Sequence, residues 1–236
     1  MKPPNSELTR WNVVVLFAVA MAWMESAVVL YLRRLVGRLE PYQARPLPDI
    51  YGLVTPEIIR EAATMIMLAC VGWLAGRTWR AKFGYWLIAF GVWDVFYYVF
   101  LRMLTGWPRT LLDWDVLFLI PLPWWGPVLA PALIAILMVA FGTLLVRSHG
   151  ALWPTRSSVA ATAVGVALVL WAFMYNALGL ILHGATYELI RDSLPRSFPW
   201  LLFLPGVALM AVPIFDLTSQ LIARKGLNLN TTETTT

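Results

Sequence analysis

The chain has 236 residues, 60% of them hydrophobic and only 13% charged, with a mean hydropathy of +0.70. A soluble domain carries roughly a quarter charged residues and rarely repeats apolar runs of about 20 residues, so this composition excludes an ordinary soluble globule. The net charge of +5 comes from Lys and Arg gathered between apolar runs, with no aromatic-interleaved basic surface, which excludes nucleic-acid binding.

The first apolar run covers residues 11–32, preceded by Lys2 and Arg10 and followed by Arg33, Arg34 and Arg38. It is too long for a signal-peptide core and lacks a small-x-small cleavage site, so it reads as an uncleaved first span. A Pro-rich loop through Pro41, Pro46 and Pro48 leads to a second span over 56–76, with Thr55 as N-cap and Pro56 at the first helical position. The run contains Cys70, the only cysteine, so no intramolecular disulfide or thiolate cluster forms; a lone cysteine in such a run is expected to be a buried small hydrophobe. A tight basic turn with Arg77, Arg80 and Lys82 precedes the third span, 84–104.

The next run, 110–120, is too short to cross a bilayer, contains Asp113 and Asp115, and ends in prolines beside Trp124 and Trp125. Tryptophan favours the headgroup level, so the spacing predicts an interfacial or partly re-entrant helix that does not span. The fourth span is 128–146, followed by Arg147, His149 and Arg156, and the fifth is 158–182. Residues 185–198 are expected to form a short amphipathic surface helix, and 200–222 the sixth span, closed by Arg224 and Lys225. The Thr-rich tail 228–236 is expected to be disordered.

The expected fold is therefore all-α: a polytopic membrane helix bundle of about six transmembrane helices plus short interfacial helices, with one domain over 1–227 in a cell (inner) membrane. The clean basic turns after the even-numbered spans favour cytoplasmic termini, although Arg33, Arg34, Arg38 and Arg45 weigh on the opposite side.

Ionisable groups at membrane depth are costly and mark function. Glu25 lies toward the end of the first span, Glu57 and Glu61 share a face at the start of the second, with Arg60 between them, and Asp94 sits near the middle of the third. Tyr98 and Arg102 follow Asp94 at one-turn intervals, and Asn176 lies late in the fifth span. If the spans alternate, all of these reach the same half of the bilayer. The expected site is a polar cavity made of Glu25, Glu61, Asp94, Tyr98, Arg102 and Asn176, walled by spans one, two, three and five and lidded by the Trp-rich segment. Glu25 and Asp94 are expected to approach each other, and Glu61 to pair with Arg60 or Arg102. The aromatic run Trp93, Phe96, Tyr97, Tyr98, Phe100 reads as packing, and Asp216 as a helix-end partner of Arg224.

Such a cavity would bind, and transport or transform, a small cation or a lipid-like ligand. The competing reading is a non-catalytic scaffold subunit of a larger membrane complex, or a homo-oligomer. No cofactor is specified by the sequence. Its two histidines sit at span ends, against bis-His haem, and a carboxylate metal site of Glu25, Glu61, Asp94 and His183 lacks the Glu-x-x-His pairing of di-iron bundles. There is no phosphate loop, no G-x-S-x-G and no mid-span lysine for a Schiff base, so neither an enzyme class nor a substrate can be read from motifs; the partners expected are membrane lipid and, on the competing reading, other membrane proteins or further copies of the chain.

Overall fold

The computed structural model describes residues 6–37, 40–42, 54–118, 122–148, 152–186, 189–190 and 193–233. Six helices dominate: α1 (Ser6–Leu35), α2 (Val54–Ala75), α3 (Trp79–Thr105), α4 (Leu129–Arg147), α5 (Arg156–Leu182) and α6 (Trp200–Glu233). Each holds a stretch long and apolar enough to cross a bilayer. Their outward faces keep large apolar side chains such as Leu16, Trp73, Trp171 and Phe215 exposed, which suits lipid rather than water.

The helices run past the expected boundaries because local capping, not hydropathy, sets their ends. Thr78 accepts a hydrogen bond from the Ala81 amide (3.2 Å), so α3 starts at Trp79, and Thr155 caps α5 by accepting from Ser158 (3.4 Å). At the other end of α3, Gly106 takes a left-handed conformation (φ 76°), and its N–H donates to the Arg102 carbonyl (2.9 Å). Helix α2 begins at Val54, one residue before the expected cap Thr55.

Helix α3 is the hub, packing against α1, α2 and α4. One core cluster locks α1, α2 and α3 through Ala18, Ala22, Leu68, Tyr85, Ile88 and Val92. Helices α5 and α6 pair with each other, and α6 also reaches α4. Close approach of α3 and α4 depends on Gly91, where a Cβ would stand 2.5 Å from the Ala135 carbonyl oxygen. Small residues at such crossings let helix backbones meet without a hydrophobic driving force. Gly91→Val should therefore separate α3 from α4 and cost on the order of 2 kcal/mol, read as a lower midpoint in denaturant titration of the purified chain. An unchanged midpoint would show that this contact does not hold the bundle.

Residues 110–118 are not helical. A turn pinned by Asp113 opens a β-hairpin, β1 (Trp114–Phe118) pairing antiparallel with β2 (Trp124–Pro127), with Trp114 opposite Pro127 and a bulge between Val116 and Phe118. Burial is the largest single influence on the Asp113 carboxyl and raises it, but the hydrogen bonds it accepts from the Thr110 hydroxyl (2.7 Å) and the Arg109 amide (2.7 Å), together with the Arg109 charge, outweigh burial and hold the group below the ordinary carboxylate range. The hairpin packs on α5 and α4, with Trp124 stacked on Phe173. The short apolar run was ambiguous between helix and strand, and the flanking prolines together with Trp, Val and Phe decide for strand. Residues 119–121 lie outside the described set.

The expected surface helix at 185–198 is also corrected. Residues 189–190 are helical and 193–199 are not, while 187–188 and 191–192 lie outside the described residues. Helix α6 continues through residue 228 to Glu233, into the stretch expected to be disordered; residues 234–236 and most of the Pro-rich loop at 43–53 lie outside the described residues. Cys70 is exposed on the outer face of α2 rather than buried. Asp216 does not serve Arg224: it accepts from the Thr155 amide (2.7 Å) and hydroxyl (2.8 Å) and from Gln220 (3.0 Å), tying the start of α5 to α6.

Candidate functional site: a carboxylate cluster at one end of α1, α2 and α3

The second half of α1, the first half of α2 and the second half of α3 meet at one end of the molecule, the end that the hairpin shares. Alternating helix direction puts these segments together, and Ser26 fastens them: its hydroxyl lies 2.7 Å from the Ala22 carbonyl and 3.0 Å from that of Tyr97 across the α1–α3 contact.

Two charge clusters stand there. In the first, the Arg60 guanidinium on α2 donates to Glu25 on α1 and to Glu57 one turn back on its own helix. The Thr64 hydroxyl donates to the second Glu25 oxygen. Glu25 is 6% exposed, so its charge depends on these donors. Glu61 is buried on the same face of α2.

The second cluster centres on Asp115 of β1, which is 2% exposed. Its Oδ1 lies 3.4 Å from an Arg33 nitrogen of α1 and accepts from the Val116 amide (2.9 Å). Its Oδ2 is buried with no hydrogen-bond partner among the described residues. The Arg33 guanidinium lies over the Trp107 ring, 4.3 Å from its centroid, so one cation faces both a carboxylate and a π-surface. Burial pushes the Asp115 carboxyl up to about 6, against the opposing pull of Arg33, the nearby Tyr98 hydroxyl and the Val116 amide.

Asp94 completes the arrangement. It is half-buried on α3, one turn before Tyr98, and within electrostatic reach of Asp115. Among the described residues no hydrogen bond or ion pair reaches its carboxylate. Tyr97 lies between the clusters, within reach of Arg33, Arg60, Glu25 and Asp115. Its ring continues an aromatic chain along α3, from Phe90 through Trp93 to Tyr98 and Trp107.

Of the expected site residues, Glu25, Glu61, Asp94 and Tyr98 sit at this end. Three expectations change. Asp94 is coupled to Asp115 rather than to Glu25, because Arg60 draws Glu25 toward α2. Arg102 is exposed and donates to the carbonyls of Pro108 and Arg109 (2.8 Å to the latter), since it stands on the last turn of α3, where its long side chain reaches the following loop. Asn176 donates to the Ser193 hydroxyl (2.8 Å), anchoring the segment after α5; α5 packs on α6 and the hairpin rather than walling the cluster with α1–α3.

Arg33, Thr64, Trp107 and Asp115 stand in these clusters and lie outside the expected set. Asp115 carried a usable signal, a carboxylate inside an apolar strand-like run. Assigning that run to an interfacial helix hid the inward direction of the side chain. Among the described residues no group of three or more His, Cys, Asp and Glu side chains is arranged to hold a metal. His183 is exposed at the end of α5, its Nδ1 2.7 Å from the Gly179 carbonyl, which removes it from the carboxylate metal site considered above.

No family model, no curated protein and no solved structure matches the chain.

Proposed function

We propose that the chain is a multi-pass membrane protein that binds a small cation at the Asp94–Asp115 pair, the step from which uptake or transfer of that cation would follow. The observation that carries this reading is the imbalance at the second cluster. Two carboxylates lie within electrostatic reach of each other with one guanidinium beside Asp115, and the buried Asp115 Oδ2 accepts no well-formed hydrogen bond among the described residues, with the Tyr98 hydroxyl as its nearby polar group. Intramembrane and membrane-boundary carboxylates with unmet demand for a positive charge recur along ion and proton paths. A proton, a monovalent metal ion or a protonated amine would each supply the charge, and the flanking Tyr98 and Trp107 rings favour a cation over an anion.

The test is calorimetric titration of the purified full chain with sodium, potassium, magnesium and methylammonium chlorides. At least one is expected to bind, and Asp94→Asn and Asp115→Asn should each weaken that ion at least tenfold. The first cluster favours a second reading, because Glu25, Arg60 and Glu57 already satisfy one another as a structural clamp would. No binding of any of the four ions, together with an unchanged wild-type Tm for both variants, would move the chain to that scaffold reading.

Membrane embedding has its own check at Cys70. This exposed thiol on α2 should react with the lipid-permeant N-ethylmaleimide and resist a charged methanethiosulfonate reagent in sealed vesicles. Rapid labelling by the charged reagent from either side would place α2 in water.

A further inference from the structure

The opposite end of the bundle is built differently. The α2–α3 turn, the end of α4, the start of α5 and the latter part of α6 meet there around Phe83, Leu145, Leu152, Trp153, Leu217 and Leu221. This convergence brings the segments that carry Arg77, Arg80, Lys82, Arg147, Arg156 and Arg224 to the same end of the bundle. The acids of the same end in the described residues are few. Asp216 already accepts three hydrogen bonds from Thr155 and Gln220, and Glu7 stands at the start of α1.

The cations are interleaved with tryptophan. Trp79 and Trp153 lie 4.4 Å apart, Arg80 sits 5.6 Å over the Trp153 ring, and the Lys82 ammonium is 3.3 Å over Trp73. Trp73 and Trp79 are 67% and 60% exposed, so these rings face outward beside the charges rather than filling a core. Exposed indoles ringed by cations mark the headgroup level of a leaflet. Arg77, Arg147 and Arg156 are exposed and make no hydrogen bond or ion pair among the described residues, leaving their guanidinium forks for phosphate oxygens.

We propose that this end is a binding site for an anionic phospholipid, its phosphate held between the α2–α3 turn, the last turn of α4 at Arg147 and the first turn of α5 at Arg156, and its acyl chains lying against Trp73 and Trp79. The proposal rests on the membrane reading above, and is independent of the cation site at the other end. Charge complementarity selects the anionic headgroup, and the exposed rings beside it select a lipid over a free phosphate.

The test uses the full chain in dodecyl maltoside, with phosphatidylglycerol or phosphatidylcholine added as mixed micelles. Phosphatidylglycerol should raise the Tm and persist as a mass-spectrometric adduct, and phosphatidylcholine should do neither. Equal effects of the two lipids would overturn the site. A triple Arg77→Gln, Arg147→Gln, Arg156→Gln variant should bind the anionic lipid on the order of a hundredfold more weakly, at a few-fold per removed charge. Arg34→Gln with Arg196→Gln, exposed arginines of the other end, should leave binding intact, and an equal loss there would replace the site with a diffuse charge effect. Glycerol 1-phosphate reproducing the Tm rise would reassign the pocket to free phosphate. The wild-type comparison of the two lipids stands even if the triple variant does not fold. A chain that stays monodisperse without detergent, read before any lipid is added, would overturn the membrane reading itself.

Discussion

Arg60→Ala should lower the stability of the purified chain by about 3 kcal/mol, the lower end of what removing one partner of a buried ion pair costs, because its side chain is 26% exposed. The loss arises from what remains rather than from what is removed. Glu25 keeps the Thr64 hydroxyl but loses its only described cation, in a position 6% exposed to solvent. Glu25→Gln should cost less, about 1 kcal/mol, since an amide still accepts from Thr64 and leaves no uncompensated charge. The double variant Arg60→Ala with Glu25→Gln should recover part of the first loss, giving a coupling energy above about 1 kcal/mol in a denaturant cycle. An Arg60→Ala variant within about 0.5 kcal/mol of wild type would show that the three-residue cluster is solvated and contributes nothing to folding.

Cation binding at the second cluster should depend on pH with a midpoint near that of Asp115, about 6. Asp115 is a carboxyl whose native value is raised, so the native state holds this proton more tightly than the unfolded chain does. Its contribution to stability is therefore present below about 4 and is lost as pH rises through about 6, on the order of 3 kcal/mol by proton linkage. A bound cation replaces the proton. Affinity should fall about tenfold per pH unit below 6 and level off above it, and added cation should stabilise the chain at pH 7.5 but not at pH 4.5. Asp115→Asn should bind weakly at both pH values, leaving only the Asp94 carboxylate to respond to pH. Affinity that is flat between pH 4.5 and 7.5 in the wild type would remove Asp115 from the site.

Hydropathy made the six long apolar helices legible, because a stretch near 20 apolar residues has few soluble alternatives and a helix satisfies its own backbone hydrogen bonds. The depth of Glu25, Glu61 and Asp94 followed from counting 1.5 Å per residue, so their shared end was readable as well. The hairpin was not. A ten-residue apolar stretch has no decisive period, and only the pairing of Trp114–Phe118 with Trp124–Pro127 fixes which way Asp115 points.

The number of long apolar helices, their apolar faces and the end of the bundle at which Glu25, Glu61 and Asp94 gather were thus legible from the chain, since each depends on distance along one segment. Tertiary structure alone decided which charge meets which. Arg60 turns to Glu25 and Glu57, Arg33 to Asp115 and Trp107, Arg102 to the loop after its own helix, and Asn176 to Ser193. Side-chain partners depend on how helices rotate about their axes when small residues such as Gly91 pack against a neighbour, and no property of a single helix encodes that rotation.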